Sequence, residues 1–302
     1  MKVLICDPLA ESAIARLKEA GLEVVERTGM SPEELAAELA KGYDAVVVRS
    51  ATKVRKAAID AAVGLKLIVR AGVGLDNIDV EYAREKGIQV RNTPRASTDS
   101  VAELALAHML ALARALPQAT ISLREGKWEK KTFKGIELAG KTLGVVGIGR
   151  IGQAVAKRAL CLGMRVIAFD KFVKESPLPQ VRMVSLEELL READFVTLHV
   201  PADPAGPVIG EQEIARMKEG AYLINCARGG VIDESALLAA LDSGKLAGAG
   251  LDVFEEEPPT NMELLRHPKV SLTPHIGAQT KEAQARVGDE VVDILLEFER
   301  SS

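Results

Sequence analysis

The chain has 302 residues, 47% of them hydrophobic and 27% charged, a balance that excludes a disordered or fibrous protein and leaves room for two packed cores. Its 39 basic and 43 acidic residues are spread along the sequence and sum to a net charge of -4, so no long-range attraction to nucleic acid or an anionic membrane is built in and a small soluble substrate is expected. The 3 cysteines, Cys6, Cys161 and Cys226, are odd in number and far apart, which suits reduced thiols in a cytoplasmic protein, and no CxxC or HExxH spacing suggests a metal site.

The start, MKVLICDPLAES, has a short apolar run that ends at Asp7, and no later segment reaches about 18 apolar residues without charge, so neither a signal peptide nor a membrane span is expected. From residue 2 to 100, VLIC, ESAIARLKEAG, EVVER, PEELAAELAKG, DAVVVRS, KAAIDAAVG and LKLIVRAG alternate short apolar runs with amphipathic stretches. Strands alternating with helices predict a parallel sheet covered on both faces.

SVAELALAHMLALARAL (100–116) is too long for a strand and apolar nearly all round, broken only by Glu103, His108 and Arg114. Such a helix must be buried, between domains or against another subunit, and a homo-oligomer, most simply a twofold dimer, is expected. The charged run KWEKKTFKG (127–135) reads as a solvated connection.

A second alternation starts at Lys141: TLGVVG, a helix over 150–162, RVIAFD, SLEELLREA, DFVTLHV, EIARMKEG, AYLINCA, DESALLAALDSG, LAGAGLDVF and VSLTPH. After Gly277 a single amphipathic helix, KEAQARVGDEVVDILLEFER, closes the chain. The expected class is therefore α/β with two doubly wound parallel sheets, a Rossmann-type NAD domain over 100–278 inserted in a flavodoxin-like substrate domain made of 1–99 and 279–302.

In GVVGIGRIG (144–152) a strand runs directly into Gly147, Gly149 and Gly152, and a helix begins there. Gly147 permits the turn, Gly149 a close ligand approach and Gly152 close packing on the strand, while amides at the helix start face a pyrophosphate. Asp170 ends the next strand about twenty residues on, where a carboxylate accepts from both adenosine ribose hydroxyls and repels a 2′-phosphate. NAD is favoured, with Lys171 leaving some NADP use open.

Hydride exchange with nicotinamide needs a group to move the alcohol proton and a cation to hold a carboxylate. Of the 4 histidines, His108, His199 and His267 read as core or surface residues, whereas His275, in LTPHIGAQT, emerges at a strand end where open α/β sheets bind ligands. Glu257, before Pro258 in DVFEEEPP, is the expected partner that holds its tautomer, and Glu255 and Glu256 read as a solvated turn. Arg228, in NCARGG, can grip a carboxylate by two parallel hydrogen bonds and polarise the adjacent carbonyl.

The order GxGxxG, NCARGG, LDVFEEEP and PHIGA resembles the D-isomer-specific 2-hydroxyacid dehydrogenase family along nearly the whole chain. VRSATKV (48–54), VRAGVGLDNID (69–79), NTP (92–94), GKW (126–128) and GKTLGVVGIGRIG (140–152) narrow the likeness to members that oxidise 3-phospho-D-glycerate. The resemblance implies that Arg228 orients the substrate and that His275 is acid and base with Glu257 as partner. It further implies that the amides of Gly72, Val73 and Gly74 hold the substrate carboxylate and that Arg49 and Arg70 take the phosphate. Arg150 and Ile151 would meet the pyrophosphate and Asp252 the nicotinamide carboxamide, with Val200, Cys226, Ala227, Gly277 and Ala278 completing the cofactor set beside Arg228 and His275.

The implied reaction is NAD-dependent oxidation to 3-phosphooxypyruvate, which opens the phosphorylated route to L-serine. Two alternatives share the motifs: a glyoxylate or hydroxypyruvate reductase, with no phosphate to bind, and a non-catalytic NAD-sensing corepressor-like module. Formate dehydrogenases carry glutamine where Glu257 stands, which argues against that relative. The sequence ends soon after the last helix, so a carboxyl-terminal regulatory domain and serine feedback are not expected. After NTP it reads RASTDS in place of an asparagine-rich loop, a departure that leaves the substrate side open.

Overall fold

The computed structural model describes residues 1–301. The first half of the alternation becomes β1 (Lys2–Ile5), α1 (Glu11–Glu19), β2 (Glu23–Glu26), α2 (Pro32–Leu39), β3 (Ala45–Val48), α3 (Lys56–Ala61), β4 (Leu67–Arg70), α4 (Val80–Glu85) and β5 (Gln89–Asn92). Next come α5 (Thr98–Ala113), α6 (Leu116–Arg124), β6 (Thr142–Val146), α7 (Arg150–Cys161), β7 (Arg165–Phe169), β8 (Arg182–Met183), α8 (Leu186–Glu192) and β9 (Phe195–Leu198). They are followed by α9 (Glu211–Arg216), β10 (Ala221–Asn225), α10 (Glu234–Asp242), β11 (Leu246–Leu251), α11 (Met262–Arg266), β12 (Val270–Leu272) and the long α12 (Lys281–Ser301). Two compact units result, one formed by Met1–Ser97 with the chain from Ala278 onward, the other by Thr98–Gly277.

The first unit is a five-stranded parallel sheet in the order β2-β1-β3-β4-β5. Its central strands are apolar on both faces because both faces are covered. Val3, Ile5, Val47 and Val69 meet α1 and α12 through Ile14, Leu17, Val287, Val291 and Leu295, while Leu4, Val46 and Ile68 face Leu35, Leu39 and Ile59 of α2 and α3. The entry to α2 is fixed by a reciprocal cap in which Ser31 Oγ accepts the Glu34 N–H at 3.2 Å and Glu34 Oε2 accepts the Ser31 N–H at 2.8 Å.

The second unit is a seven-stranded sheet in the order β12-β11-β10-β9-β6-β7-β8, with parallel pairing throughout. Strand order reverses at β6, which lies between β7 and β9. The carboxyl end of such a switch strand is where doubly wound sheets leave a crevice.

The apolar helix expected over 100–116 runs instead as α5 to Ala113, breaks at Ala115, which is left-handed at φ 48, and resumes as α6 with a bend of 62°. Pro117 accounts for the break, since its ring would collide with the Ala113 carbonyl in a continuous helix. The demand for a burying partner is largely met inside the unit: Val101, Ala105, Leu106 and Met109 join a cluster with Leu143, Val145, Val155 and Ile224. Each Val, Leu or Met withdrawn from water there contributes roughly 1.5–3 kcal/mol. Among the described residues no single helix is long and apolar enough to cross a membrane.

Candidate active site

The turn after β6 is shaped by glycines with different jobs. Gly147 has φ 92, and a Cβ on it would stand 2.5 Å from the His199 carbonyl oxygen; one on Gly152 would stand 2.0 Å from the Gly147 carbonyl oxygen. A Cβ on Gly149 would meet nothing within 4 Å, so that position is kept bare without any demand from the protein's own packing. No side chain caps α7 there, which leaves amide donors at its start. The bare Gly149, the uncapped helix and the switch strand suit a dinucleotide pyrophosphate, with Arg150 exposed and Ile151 half-buried beside it. Val200 borders the same turn, its Cγ1 only 2.8 Å from where a Gly147 Cβ would lie.

Asp170, just past β7, ties this turn down. Its Oδ2 accepts the Ile148 N–H at 3.0 Å, and its Oδ1 accepts those of Phe172 and Val173 at 2.8 and 3.1 Å. A carboxylate has about four lone-pair sites. About one remains for a ribose hydroxyl, fewer than the two hydroxyls assigned to it from sequence.

At the end of β10 the buried Asn225 spans its own turn, accepting the Ala227 N–H at 3.0 Å and donating from Nδ2 to the Arg228 carbonyl at 2.9 Å. Arg228 is thereby held at the strand end, its Nη1 donating to the Ala227 carbonyl at 2.6 Å. A Cβ on Gly229 would lie 1.7 Å from the Phe254 carbonyl oxygen, so only glycine lets this turn rest on the segment that carries Glu257. Cys226 is buried, and burial first, then the charge of Asp252, pushes its thiol up.

His275 follows β12 with φ 51, a left-handed conformation rare for a residue with a Cβ. Its Nδ1 lies 2.7 Å from Glu257 Oε2, while Glu257 Oε1 accepts the Phe254 N–H at 3.3 Å. The imidazole is 44% and the carboxylate 38% exposed, open enough for a ligand to reach Nε2. Asp252, only 1% exposed, takes three donors: Thr273 Oγ1 at 2.7 Å and the N–H groups of Ile276 and Gly277, each at 2.8 Å. The sequence had assigned Asp252 to a cofactor amide and carried no hint of this anchoring role. Glu255 is exposed in a bend, as its solvated-turn reading expects, and it also exchanges hydrogen bonds with Glu234, each carboxylate accepting the other's backbone N–H at 2.7 and 3.0 Å.

In the first unit Arg49 and Arg70 stand at the ends of the paired strands β3 and β4. Asp7 Oδ2 accepts the Arg49 N–H at 2.5 Å, and Asn77 Nδ2 donates to the Arg49 and Thr52 carbonyls, both at 2.6 Å. Arg49 Nη1 donates to the Pro8 carbonyl at 3.2 Å; burial lowers its pKa and Asp7 opposes the shift. Gly72 has φ 149, and a Cβ on it would fall 1.3 Å from Arg70 Nη1, so the guanidinium lies directly against the Gly72 backbone. Asn92 Nδ2 braces the same loop by donating to the Val73 carbonyl at 2.5 Å, with Gly74 one residue on. Ala278, the first residue of the returning chain, accepts from Gln284 Nε2 at 2.7 Å through its carbonyl.

Residues 106–277 match the model of the D-isomer specific 2-hydroxyacid dehydrogenase NAD binding domain. The chain is 53% identical over 297 residues to a D-3-phosphoglycerate dehydrogenase of Methanocaldococcus jannaschii, covering 97% of this chain but 56% of that protein. It thus spans about half the length of that enzyme. A hydroxypyruvate reductase of Thermotoga maritima is 52% identical over 97% of this chain and 96% of its own length. Among solved structures, a D-lactate dehydrogenase of Aquifex aeolicus complexed with NAD and lactic acid superimposes with a TM-score of 0.89 at 33% identity, covering 100% of this chain and 96% of that one.

Proposed function

The chain belongs to the D-isomer specific 2-hydroxyacid dehydrogenase family, and from that premise we propose that it oxidises 3-phospho-D-glycerate to 3-phosphooxypyruvate with NAD, the first step of the phosphorylated route to L-serine. The observation that carries the chemistry is the 2.7 Å pair between His275 Nδ1 and Glu257 Oε2. A carboxylate at Nδ1 fixes that nitrogen as the donor and leaves Nε2 as the base that takes the C2 hydroxyl proton. The bound nicotinamide supplies the acceptor for the C2 hydride. Arg228 grips the substrate carboxylate and polarises the carbonyl as it forms.

The phosphate is assigned to Arg49 and Arg70, cations at the ends of neighbouring strands. The test is the initial rate of NAD reduction with 3-phosphoglycerate against D-lactate, glycerate and 2-hydroxyglutarate, and the expected outcome is a kcat/KM for the phosphorylated acid well above the others. One observation favours a second reading, hydroxypyruvate or glyoxylate reduction: the Thermotoga maritima reductase is matched along 96% of its length. Replacing Arg49 and Arg70 together decides between them, costing orders of magnitude with 3-phosphoglycerate under the first reading and little with hydroxypyruvate under the second. Tight NAD binding without measurable turnover would favour the corepressor-like module.

A homodimer and a cytoplasmic location complete the proposal. Leu110, Leu116, Ile121, Leu123 and Trp128 are all exposed along α5, α6 and the segment after them, Trp128 at 82%, an apolar set that a second copy would cover. Light scattering at micromolar concentration should give twice the chain mass. Cys6, Cys161 and Cys226 are free thiols, as a reducing compartment maintains them.

A further inference from the structure

Beneath the His275 turn runs a buried polar chain that hydride transfer does not use. His108, on α5 and 2% exposed, places Nδ1 2.9 Å from Ser271 Oγ and Nε2 3.0 Å from Thr273 Oγ1. Thr273 Oγ1 in turn donates to Asp252 Oδ1 at 2.7 Å. A Cβ on Gly250 would fall 2.7 Å from the His108 Cβ, so the imidazole is pressed onto β11 at a position where only glycine fits.

Counting protons gives the chain a direction. The single hydroxyl proton of Thr273 goes to a carboxylate that only accepts, so toward His108 the Thr273 oxygen is the acceptor and His108 Nε2 carries the ring proton. Burial lowers the His108 pKa against an upward pull from Asp252 and keeps the ring neutral. Nδ1 is then bare and accepts from the Ser271 hydroxyl. Donation runs from Ser271 to His108 to Thr273 to Asp252, with each donor used.

The far end of this chain meets the site. The Asp252 carbonyl accepts the His275 N–H at 2.8 Å, and its carboxylate accepts those of Ile276 and Gly277, each at 2.8 Å. Three successive amides therefore converge on one residue, as in an anion-binding nest. They surround the left-handed His275, a conformation that persists in a residue with a Cβ only where the surroundings over-determine it. The Thr273 bond orients the carboxylate, and the His108 bond fixes the Thr273 hydroxyl rotor.

We infer that His108 is a positioning residue which, through Thr273 and Asp252, holds the His275 turn in register with Glu257. It touches no reacting atom. The inference rests on the reading of His275 as acid and base, and its test separates the two claims.

Full-length His108→Leu removes the Nε2 donor, whereas His108→Gln can return an amide N–H near the same place. His108→Leu is expected to lower kcat about tenfold, within the range seen when a supporting hydrogen bond to a reactive group is lost, with the KM for NAD within about twofold of wild type. It should also move the His275 ring resonance in spectra of 13C-histidine-labelled protein at fixed pH. His108→Gln should restore most of both. A folded His108→Leu protein with unchanged kcat and an unmoved His275 resonance overturns the inference, as does a His108→Gln protein no better than His108→Leu. Should His108→Leu not fold, Thr273→Val, which removes one hydroxyl and leaves the imidazole in place, carries the same expectation and the same refuting outcome. The resonance requires no turnover: a shifted His275 signal in a protein that oxidises no 2-hydroxy acid sinks the proposed function and supports the positioning role, and active variants with an unmoved signal do the reverse.

Discussion

The carboxyl edges of the two sheets solve different problems with the same architecture. The five-stranded sheet ends β3 and β4 in Arg49 and Arg70, long side chains resting on backbone carbonyls and on Gly72. The seven-stranded sheet ends in turns held by short polar side chains: Asn225 donating to the Arg228 carbonyl, and Asp252 and Asp170 accepting backbone N–H groups beside His275 and at the glycine turn. One edge presents charge, the other geometry. Coulomb attraction falls slowly with distance, whereas a hydrogen bond is lost within a few tenths of an ångström and a few tens of degrees. The first edge should tolerate displacement of its side chains and the second should not.

The largest effect expected from that contrast is at His275. His275→Ala should lower kcat by about 10²–10⁴, the worth of a positioned general base, with a far smaller loss of NAD affinity by fluorescence titration. An equal loss of affinity would mean that His275 holds the cofactor and moves no proton. The arginines come next. Each of Arg49→Ala and Arg70→Ala should cost roughly 10–150-fold in kcat/KM for 3-phosphoglycerate, from a charged hydrogen bond of about 1.5–3 kcal/mol. Lysine should recover much of that at 49 and 70, where charge suffices, and little at Arg228, where a planar fork is needed. Equal rescue at all three positions would erase the distinction between the edges.

Smaller effects fall on stability. Gly229→Ala should cost about 3 kcal/mol in urea unfolding, at the upper end for overpacking, because the obstructing Phe254 carbonyl is backbone and cannot rotate aside. Gly149→Ala, which meets no protein atom, should leave the urea midpoint alone and weaken NAD binding. The smallest expected effect concerns His199, whose buried ring is held at a pKa of about 4 against 6.5 for a free histidine. Between those values the unfolded chain binds a proton that the folded chain refuses. The His199 contribution is therefore complete above pH 6.5 and is lost as pH falls toward about 4. The wild type should lose on the order of 2 kcal/mol more than His199→Gln over that window, measured by urea titration at each pH.

The sheet order, the glycine turn and the His275–Glu257 pair were legible because each leaves a local trace: alternating apolar runs, three spaced glycines, and a histidine and a glutamate each next to a strand-end turn. The bend after α5 was legible only in part, since Pro117 lies one residue past the run that looked helical and acts on a carbonyl four residues back. The anchoring by Asp252 left no trace at all. Its partners are backbone amides 24 and 25 residues further along, and an amide has no letter in a sequence. The Ser271–His108–Thr273 line had a faint one: Ser271 and Thr273 sit two apart, on one face of the strand, and a helix otherwise apolar on its inner side carries one imidazole.

Asp170 fastens the turn after β6 with the same carboxylate that the proposed NAD-dependent reading assigns to the ribose. Selection for a phosphorylated cofactor would have to dispose of the negative charge while sparing the latch, and even the amide isostere fails, because its single oxygen cannot take the donors that now arrive on both carboxylate oxygens. Preference for a cofactor and the architecture of its cradle are therefore inherited together, and neither can drift alone.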